Sequence, residues 1–327
     1  MIIGAPQIAA SLAALRAAVA TSADDVYLSV LPAAQLLEQI CGIFLPVMAG
    51  ARTVFSPSAM AALFAPSQGA LAQAFARHRP TMSLLAPKLL AAWLADIAQG
   101  GPAAPDSLRF VALGGAPAAP DMLRAALAAG IPVHEGYGLS EDCSVVAMNR
   151  AGDNRPGTVG PVLDGLRVEI EAGEIVVSGP TVMQGYLHQP PAPARWHTGD
   201  LGHFEGNRLV IEGRKDNLIV TAAGRNISPE WIESLVEAHP AVACAALVAR
   251  PDGLTLVVAP LAPIGAAQID PLLDGLPDYA LPDRLVLVDP RDSGLIRPAG
   301  TPDRAVACRL AQTAHTLLSN PKRKTTA

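Results

Sequence analysis

The stretch His134-Glu135-Gly136-Tyr137-Gly138-Leu139-Ser140-Glu141 is a glycine-punctuated turn that ends in a hydroxyl and a carboxylate. An aromatic ring between two glycines gives a flat face for stacking, and the bare backbone beside it permits close approach. Ser140 offers a hydroxyl to a bound oxygen, and Glu141 an oxygen ligand of the kind Mg²⁺ takes when it is shared with phosphates. Two further stretches carry matching chemistry: His197-Thr198-Gly199-Asp200, and Gly213-Arg214-Lys215-Asp216 running on to Gly224-Arg225-Asn226. Asp200 can accept two adjacent hydroxyls at once, and Arg214 can donate to the same group. Plainer readings stand beside these: a core tyrosine in a turn, a Ser-Glu capping pair that opens a helix, and solvated surface charges.

The elements that must position these residues follow from the hydrophobic pattern. Ile8, Leu12, Leu15 and Val19 fall at helical spacing. After them short apolar strands alternate with helices: strand Val26–Leu31, helix Ala34–Met48, strand Arg52–Ser56, helix Gly69–His78, strand Thr81–Leu85, helix Pro87–Ala98, strand Leu108–Leu113 and helix Pro120–Ala129, leading into Val133. Strands separated by helices of this length predict βαβ units and a mostly parallel sheet. In such sheets ligands bind in the loops beyond the carboxyl ends of strands. Gly114-Gly115-Ala116-Pro117 and the Gly136–Glu141 turn occupy two such loops.

From about Arg155 the texture changes to short strands and tight turns, Leu166–Ile170, a hairpin turn at Gly173-Glu174, Ile175–Ser178 and Arg208–Glu212, which predicts a small antiparallel barrel or meander. Past Asp216 come strand Leu218–Val220, helix Pro229–Ala238, strands Val242–Val248 and Leu254–Val258, helix Gln268–Leu273 and strand Arg284–Val288, the pattern of a separate α+β domain. The expected organisation is therefore α/β: a parallel-sheet part over residues 1–153, an antiparallel β part over 154–215 and an α+β domain over 216–327.

Composition narrows the function. The 327 residues are 50% hydrophobic and 16% charged, an ordinary globular balance, and the net charge of −5 gives no basic field for a nucleic-acid backbone. The one basic cluster, Lys322-Arg323-Lys324, sits at the C-terminus. Cys41, Cys143, Cys244 and Cys308 are scattered without metal spacing, which predicts four buried thiols in a reducing, cytoplasmic setting. The apolar N-terminus lacks the basic start of a signal peptide, and no stretch approaches the roughly 20 apolar residues of a membrane span.

Together these motifs resemble the adenylate-forming ligase superfamily, that of acyl-CoA synthetases, luciferases and peptide-synthetase adenylation domains. Gly114-Gly115-Ala116-Pro117 is similar to its adenine-wall loop, Gly136-Tyr137-Gly138-Leu139-Ser140-Glu141 to its G-Y-G-x-[ST]-E motif and Thr198-Gly199-Asp200-Leu201 to its T-G-D motif. Gly213-Arg214-Lys215-Asp216 through Asn226-Ile227-Ser228-Pro229 and Glu233 resembles its hinge and following helix. The leader, Leu28-Ser29-Val30-Leu31-Pro32 with Glu38 and Leu45–Ala51, looks like the long-chain fatty acyl-CoA synthetase branch.

The resemblance implies a set of roles. Tyr137 with Gly114, Gly115, Ala116, Pro117 and Gly138 would hold adenine, Asp200 and Arg214 the ribose, and Ser140 and Glu141 the phosphate, acyl oxygen and Mg²⁺. Asp216 would be the hinge on which the small domain rotates, and Gly224 and Arg225 would border the channel for CoA. ATP or AMP, Mg²⁺ and CoA are the implied cofactors, a carboxylic acid the implied substrate.

Three departures from the family qualify this. The phosphate loop that should precede the first helix is not in the chain, so about half of the family's large domain is expected to be missing. Near the C-terminus Gly300-Thr301-Pro302-Asp303-Arg304 has Thr301 where the family places the lysine that bridges carboxylate and α-phosphate. Loss of one such donor commonly costs about 10²–10³ in rate. Gln35 stands where a histidine beside the acyl pocket is usual. The expectation is a shortened acyl-CoA synthetase-like ligase with impaired adenylation, the alternative a catalytically silent binder of nucleotide, acyl-adenylate or CoA, or a scaffold. The apolar faces of the Ile8–Val19 and Leu36–Met48 helices are expected to seek a cover, either a homodimer partner or a chain that supplies the missing half.

Overall fold

The computed structural model describes residues 1–64, 69–221, 225–297, 300–312 and 316–318. Gly224 and the Lys322–Lys324 cluster lie outside the described residues. The chain divides into two bodies, residues 1–116 with 120–212, and residues 213–327 with 117–119.

The first body is built on a six-stranded sheet with strands β1 (Val26–Ser29), β2 (Arg52–Phe55), β3 (Met82–Leu85), β4 (Phe110–Leu113), β5 (Val133–Tyr137) and β6 (Ala147–Met148), in the order β2-β1-β3-β4-β5-β6. The first five are parallel, as the alternation of strands and helices predicts, and β6 returns antiparallel to β5. All four residues of β3 are buried, which is why this strand reads as an unbroken short run and not as an alternation.

Helices α1 (Ala5–Val19), α2 (Leu36–Glu38), α3 (Leu45–Ala49), α4 (Pro57–Phe64), α5 (Ala70–His78), α6 (Pro87–Ala98) and α7 (Pro120–Ala128) accompany the sheet. Proline opens α1 and α6, where its missing N–H is no loss. Leu12, Leu15 and Val19 bury the inner face of α1, so that face is not the exposed surface the sequence reading anticipates. Among the large apolar side chains left exposed are Phe44, Val47 and Met48, and Phe55 on the edge strand β2.

The expected continuous helix over Ala34–Met48 is interrupted: Gln39–Phe44 forms a π-helical turn between α2 and α3. Pro46 has no N–H to give to the carbonyl four residues back. That carbonyl, on Gly42, instead accepts from Thr53 Oγ1 at 2.7 Å. Helix α4 is absent from the sequence reading, which runs β2 on to Ser56. In the fold Ser56 Oγ accepts from Ala59 N at 3.4 Å and Pro57 starts the helix, a start signal hidden at the end of a strand.

The antiparallel part is an open meander and not a closed barrel: β7 (Arg167–Glu171), β8 (Glu174–Ser178), β9 (Arg195–Glu205) and β10 (Arg208–Arg214) neighbour each other in chain order. The β7–β8 turn is at Ala172-Gly173, both at positive φ as a two-residue hairpin requires. Strand β9 is not foreseen, although it carries the Thr198-Gly199-Asp200 motif.

The second body is α+β. Its short hairpin β11 (Ile219–Val220) and β12 (Asn226–Ile227) precedes α8 (Pro229–Glu237). Its sheet joins β13 (Val242–Arg250), β14 (Gly253–Pro260), β15 (Arg284–Leu287) and β16 (Thr316–Leu317), with β15 parallel to β14 and the other pairs antiparallel. Alternate residues of β13 feed two cores: Ala245 and Leu247 pack with Ile232 and Val236 of α8, while Cys244, Ala246 and Val248 pack with Ala307. Helices α9 (Ala266–Ile269) and α10 (Arg304–Leu310) complete it, and Asp303 caps α10 by accepting from Val306 N at 3.0 Å. The four cysteines are free, but only Cys41, Cys143 and Cys244 are buried. Cys308, on the outward side of α10, is exposed, which corrects the expectation of four buried thiols.

Candidate functional site

Strand β5 delivers Gly136 and Tyr137, and β6 takes the chain back, with Gly136 opposite Met148 and Tyr137 opposite Ala147. The connecting loop folds onto itself so tightly that a Cβ on Gly138 would lie 1.6 Å from the Ser144 carbonyl oxygen. Glycine is therefore required here by the loop's own return. Ser140–Asp142 makes one 3₁₀ turn, with no side-chain cap at its start, so the helix-opening reading of Ser140-Glu141 does not apply. Cys143 and Ser144 follow at φ 51° and 102°, both in the left-handed half of backbone space that non-glycine residues seldom enter.

Four contacts hold this strained loop. Ser11 Oγ on α1 donates to the Cys143 carbonyl at 2.8 Å. Thr181 Oγ1 donates to Asp142 Oδ1 at 2.7 Å, and burial pushes the Asp142 carboxyl up to about 7 against the lowering effect of that bond. Met183 N donates to the Glu141 carbonyl at 2.7 Å. Tyr186 Oη donates to Glu141 Oε1 at 2.6 Å, and that bond is the main reason the phenol is pushed up to about 12. Segment 181–186 thus grips three successive features of the turn. Its tyrosine is a site residue that sequence reasoning misses, because a Gly-Tyr pair at a turn carries no local mark of function.

Tyr137 and Asp200 form one unit: Tyr137 Oη donates to Asp200 Oδ2 at 2.6 Å. The ring packs on the core of Val146, Ile175, Val177 and Leu209 that joins the two sheets of this body. Asp200 is almost buried and its strand is fixed from behind. Thr198 Oγ1 donates to the Ile175 carbonyl at 2.8 Å and accepts from Asp200 N at 3.0 Å, and Glu174 Oε1 accepts from Gly199 N at 3.1 Å.

A cavity of about 220 Å³ runs inward from this turn. Gly114, Gly115, Gly136, Tyr137, Gly138 and Ser140 line one part of it, and Leu15, Val19, Leu36, Leu37, Leu45, Met82 and Phe110 another. Polar and aliphatic walls therefore meet at the carboxyl ends of β4 and β5, where a parallel sheet places its ligands. Ala116 is exposed and not part of the lining, and Pro117, which belongs to the second body, is exposed as well. Gln35 is exposed and not part of the lining, although Leu36 and Leu37 beside it are.

Over residues 4–187 the sequence matches the family described as AMP-binding enzyme. The chain belongs to the AMP-binding enzyme family. It is 34% identical to a 2-succinylbenzoate–CoA ligase of Bacillus velezensis over 54% of this chain and 39% of that protein. It is 30% identical to a salicyl-AMP ligase of Mycobacterium tuberculosis over 81% of this chain and 51% of that protein. The chain thus spans at most about half the length of these curated relatives. In fold it is similar to the o-succinylbenzoate–CoA synthetase of Bacillus subtilis solved with AMP, with a TM-score of 0.74 at 24% identity over 91% of this chain and 63% of that one.

Within this member of the AMP-binding enzyme family the predicted residues fall into two sets. Gly114, Gly115, Ala116, Tyr137, Gly138, Ser140, Glu141 and Asp200 belong to the first body. Arg214, Asp216 and Arg225 belong to the second, all exposed, with Asp216 in a 3₁₀ turn and Arg225 stacked over the Tyr279 ring at 5.7 Å. Thr301 is also exposed in the second body, and its neighbour Arg304 is committed to Glu233 and Glu230. Among the described residues no cluster of three or more metal-ligating side chains occurs. A single carboxylate with Tyr186 on one oxygen fits Mg²⁺ that is held jointly with phosphates, not an ion held by protein alone.

Proposed function

We propose that this chain holds the nucleotide and acyl parts of an acyl-adenylate, in the manner of an acid–thiol ligase of the AMP-forming kind. The observation that carries it is the continuity of the cavity: the glycine, tyrosine and serine side of the turn opens directly into an aliphatic interior. In this reading the Tyr137 ring stacks on adenine while its hydroxyl keeps Asp200 oriented toward the ribose hydroxyls. Ser140 faces the junction of phosphate and acyl group, and Glu141, restrained by Tyr186, keeps one oxygen for Mg²⁺. ATP supplies the leaving pyrophosphate when bound. The solved relative in complex with ATP and a magnesium ion supports that pairing.

The same reading gives the second body the roles that its motifs resemble: Asp216 a hinge, Arg214 a nucleotide contact, and Gly224 and Arg225 contacts to CoA. Full adenylation is impaired in it, since Thr301 brings no charge and Arg304 is already paired with two carboxylates. The second reading, a silent binder of nucleotide or acyl-adenylate, is favoured by the uncharged Thr301 and the pairing of Arg304 with Glu230 and Glu233. Titration calorimetry with AMP, and carboxylate-dependent pyrophosphate exchange with ATP and Mg²⁺, separate the two. Binding with exchange supports a ligase, binding without exchange supports the silent binder, and no heat with AMP or ATP removes both.

A further inference from the structure

The interior of the cavity carries information on the acyl group itself. We propose that it takes a small, uncharged acyl group, a single ring or a group of that size, whose polar substituent is met by the Ser144 hydroxyl. This rests on the reading of the first body as an adenylate holder and adds the class of acid it holds.

Size is the first argument. A core cavity of about 150 Å³ lined by aliphatic side chains accepts benzene. The volume here is about 220 Å³, shared with the polar mouth, which suits one ring with short substituents and not a long unbranched chain. Charge is the second. Among the described residues no Lys, Arg, Asp or Glu lines the cavity, so a second carboxylate or an ammonium on the acyl group would be desolvated without a partner.

The third argument is Ser144. It lines the cavity, is 6% exposed, and the one side chain that meets its Oγ is the Cys41 thiol. Cys41, in the same lining, offers only a thiol, a weak donor and acceptor. Native structures seldom leave a buried hydroxyl unmet, because the desolvation is then uncompensated. Its backbone is held at φ 102°, and the approach of its carbonyl to residue 138 is open only to glycine. The Gly138 of the nucleotide motif therefore also sets the wall of the acyl cavity. A strained residue presenting a hydroxyl met only weakly, by a thiol, to an apolar space is the arrangement expected of a specificity contact.

The test is titration calorimetry on the full chain with non-hydrolysable acyl-sulfamoyl adenosines carrying benzoyl, each hydroxybenzoyl isomer, or hexadecanoyl, beside AMP. One hydroxybenzoyl isomer is expected to bind roughly two- to tenfold more tightly than benzoyl, the worth of one hydrogen bond. Hexadecanoyl should bind no better than AMP. Ser144→Ala should erase the preference between hydroxybenzoyl and benzoyl. Ser144→Gly should do the same, and glycine suits the local φ, so loss of fold does not explain its result. The proposal is overturned if hexadecanoyl binds as tightly as the rings, if no isomer is preferred, or if the preference survives both substitutions. Should AMP itself not bind, the adenylate reading fails and takes this one with it. AMP binding with no acyl preference overturns this proposal alone.

Discussion

Tyr186 Oη stands 2.6 Å from Glu141 Oε1, so the carboxylate assigned to Mg²⁺ has one oxygen already occupied by a phenol 45 residues further along the chain. Groups that orient a metal ligand from behind commonly account for about 10–100-fold in metal affinity. Tyr186→Phe removes the hydroxyl and keeps the ring. The expected outcome is a roughly tenfold or greater loss of ATP affinity in Mg²⁺ relative to AMP affinity in EDTA, read by calorimetry. An unchanged ratio would show that the phenol only packs.

The return of the loop onto Gly138 gives a second prediction. Gly138→Ala places a methyl 1.6 Å from a backbone oxygen and 2.7 Å from the Val145 Cα. Neither is the end of a flexible side chain, so the loop must open. A loss of more than about 3 kcal/mol is expected for such a backbone clash, measured by denaturant unfolding, together with loss of AMP binding. Near-native stability would mean that the loop has another way to close.

Acidity of the buried carboxyls sets the pH dependence. Glu38 is wholly buried, accepts from Tyr27 Oη at 3.1 Å, and lies against Gly42 of the π-helical turn. Burial pushes it from 4.5 up to about 7, with Ser29 and Tyr27 working the other way. Its folded pKa is raised, so its stability contribution is complete below pH 4.5 and is lost as pH climbs through about 7. While it is lost, each pH unit costs about 1.4 kcal/mol per group. Asp142, also pushed up to about 7, has the same sign. The melting temperature should therefore fall from about pH 5 to about pH 8, and Glu38→Gln should flatten that fall. Equal slopes in the two proteins would rule the assignment out.

In the second body Arg304 donates to Glu233 Oε2 at 2.8 Å and to Glu230 Oε1 at 3.2 Å, and Glu233 also accepts from Leu247 N at 2.6 Å. Burial holds the Glu233 carboxyl above its ordinary range even with the guanidinium beside it. Arg304→Ala strands a buried acid and should cost up to about 3–5 kcal/mol, less what proton uptake recovers. Pairing it with Glu233→Leu should restore much of the loss. If the double variant is as unstable as the single one, the pair is not what holds α10 to α8.

Much of this was legible in the sequence because it is local. The alternation of short apolar strands with helices gave the parallel sheet, and motif order gave the AMP-binding enzyme family. What failed was also local, but ambiguous. Ser56-Pro57 reads equally as a strand end or a helix start, and Pro46 does not announce that its lost hydrogen bond will widen the preceding turn.

By itself, then, the sequence determined the family and the parallel α/β character of the first body. Only the tertiary structure decided that Tyr137 and Asp200 act as one hydrogen-bonded pair, that Tyr186 restrains Glu141, and that Ser144 faces an aliphatic cavity. The physical reason is range. These contacts join residues that share no helical or strand period, and the strain at Ser144 exists because β6 brings the chain back against Gly138.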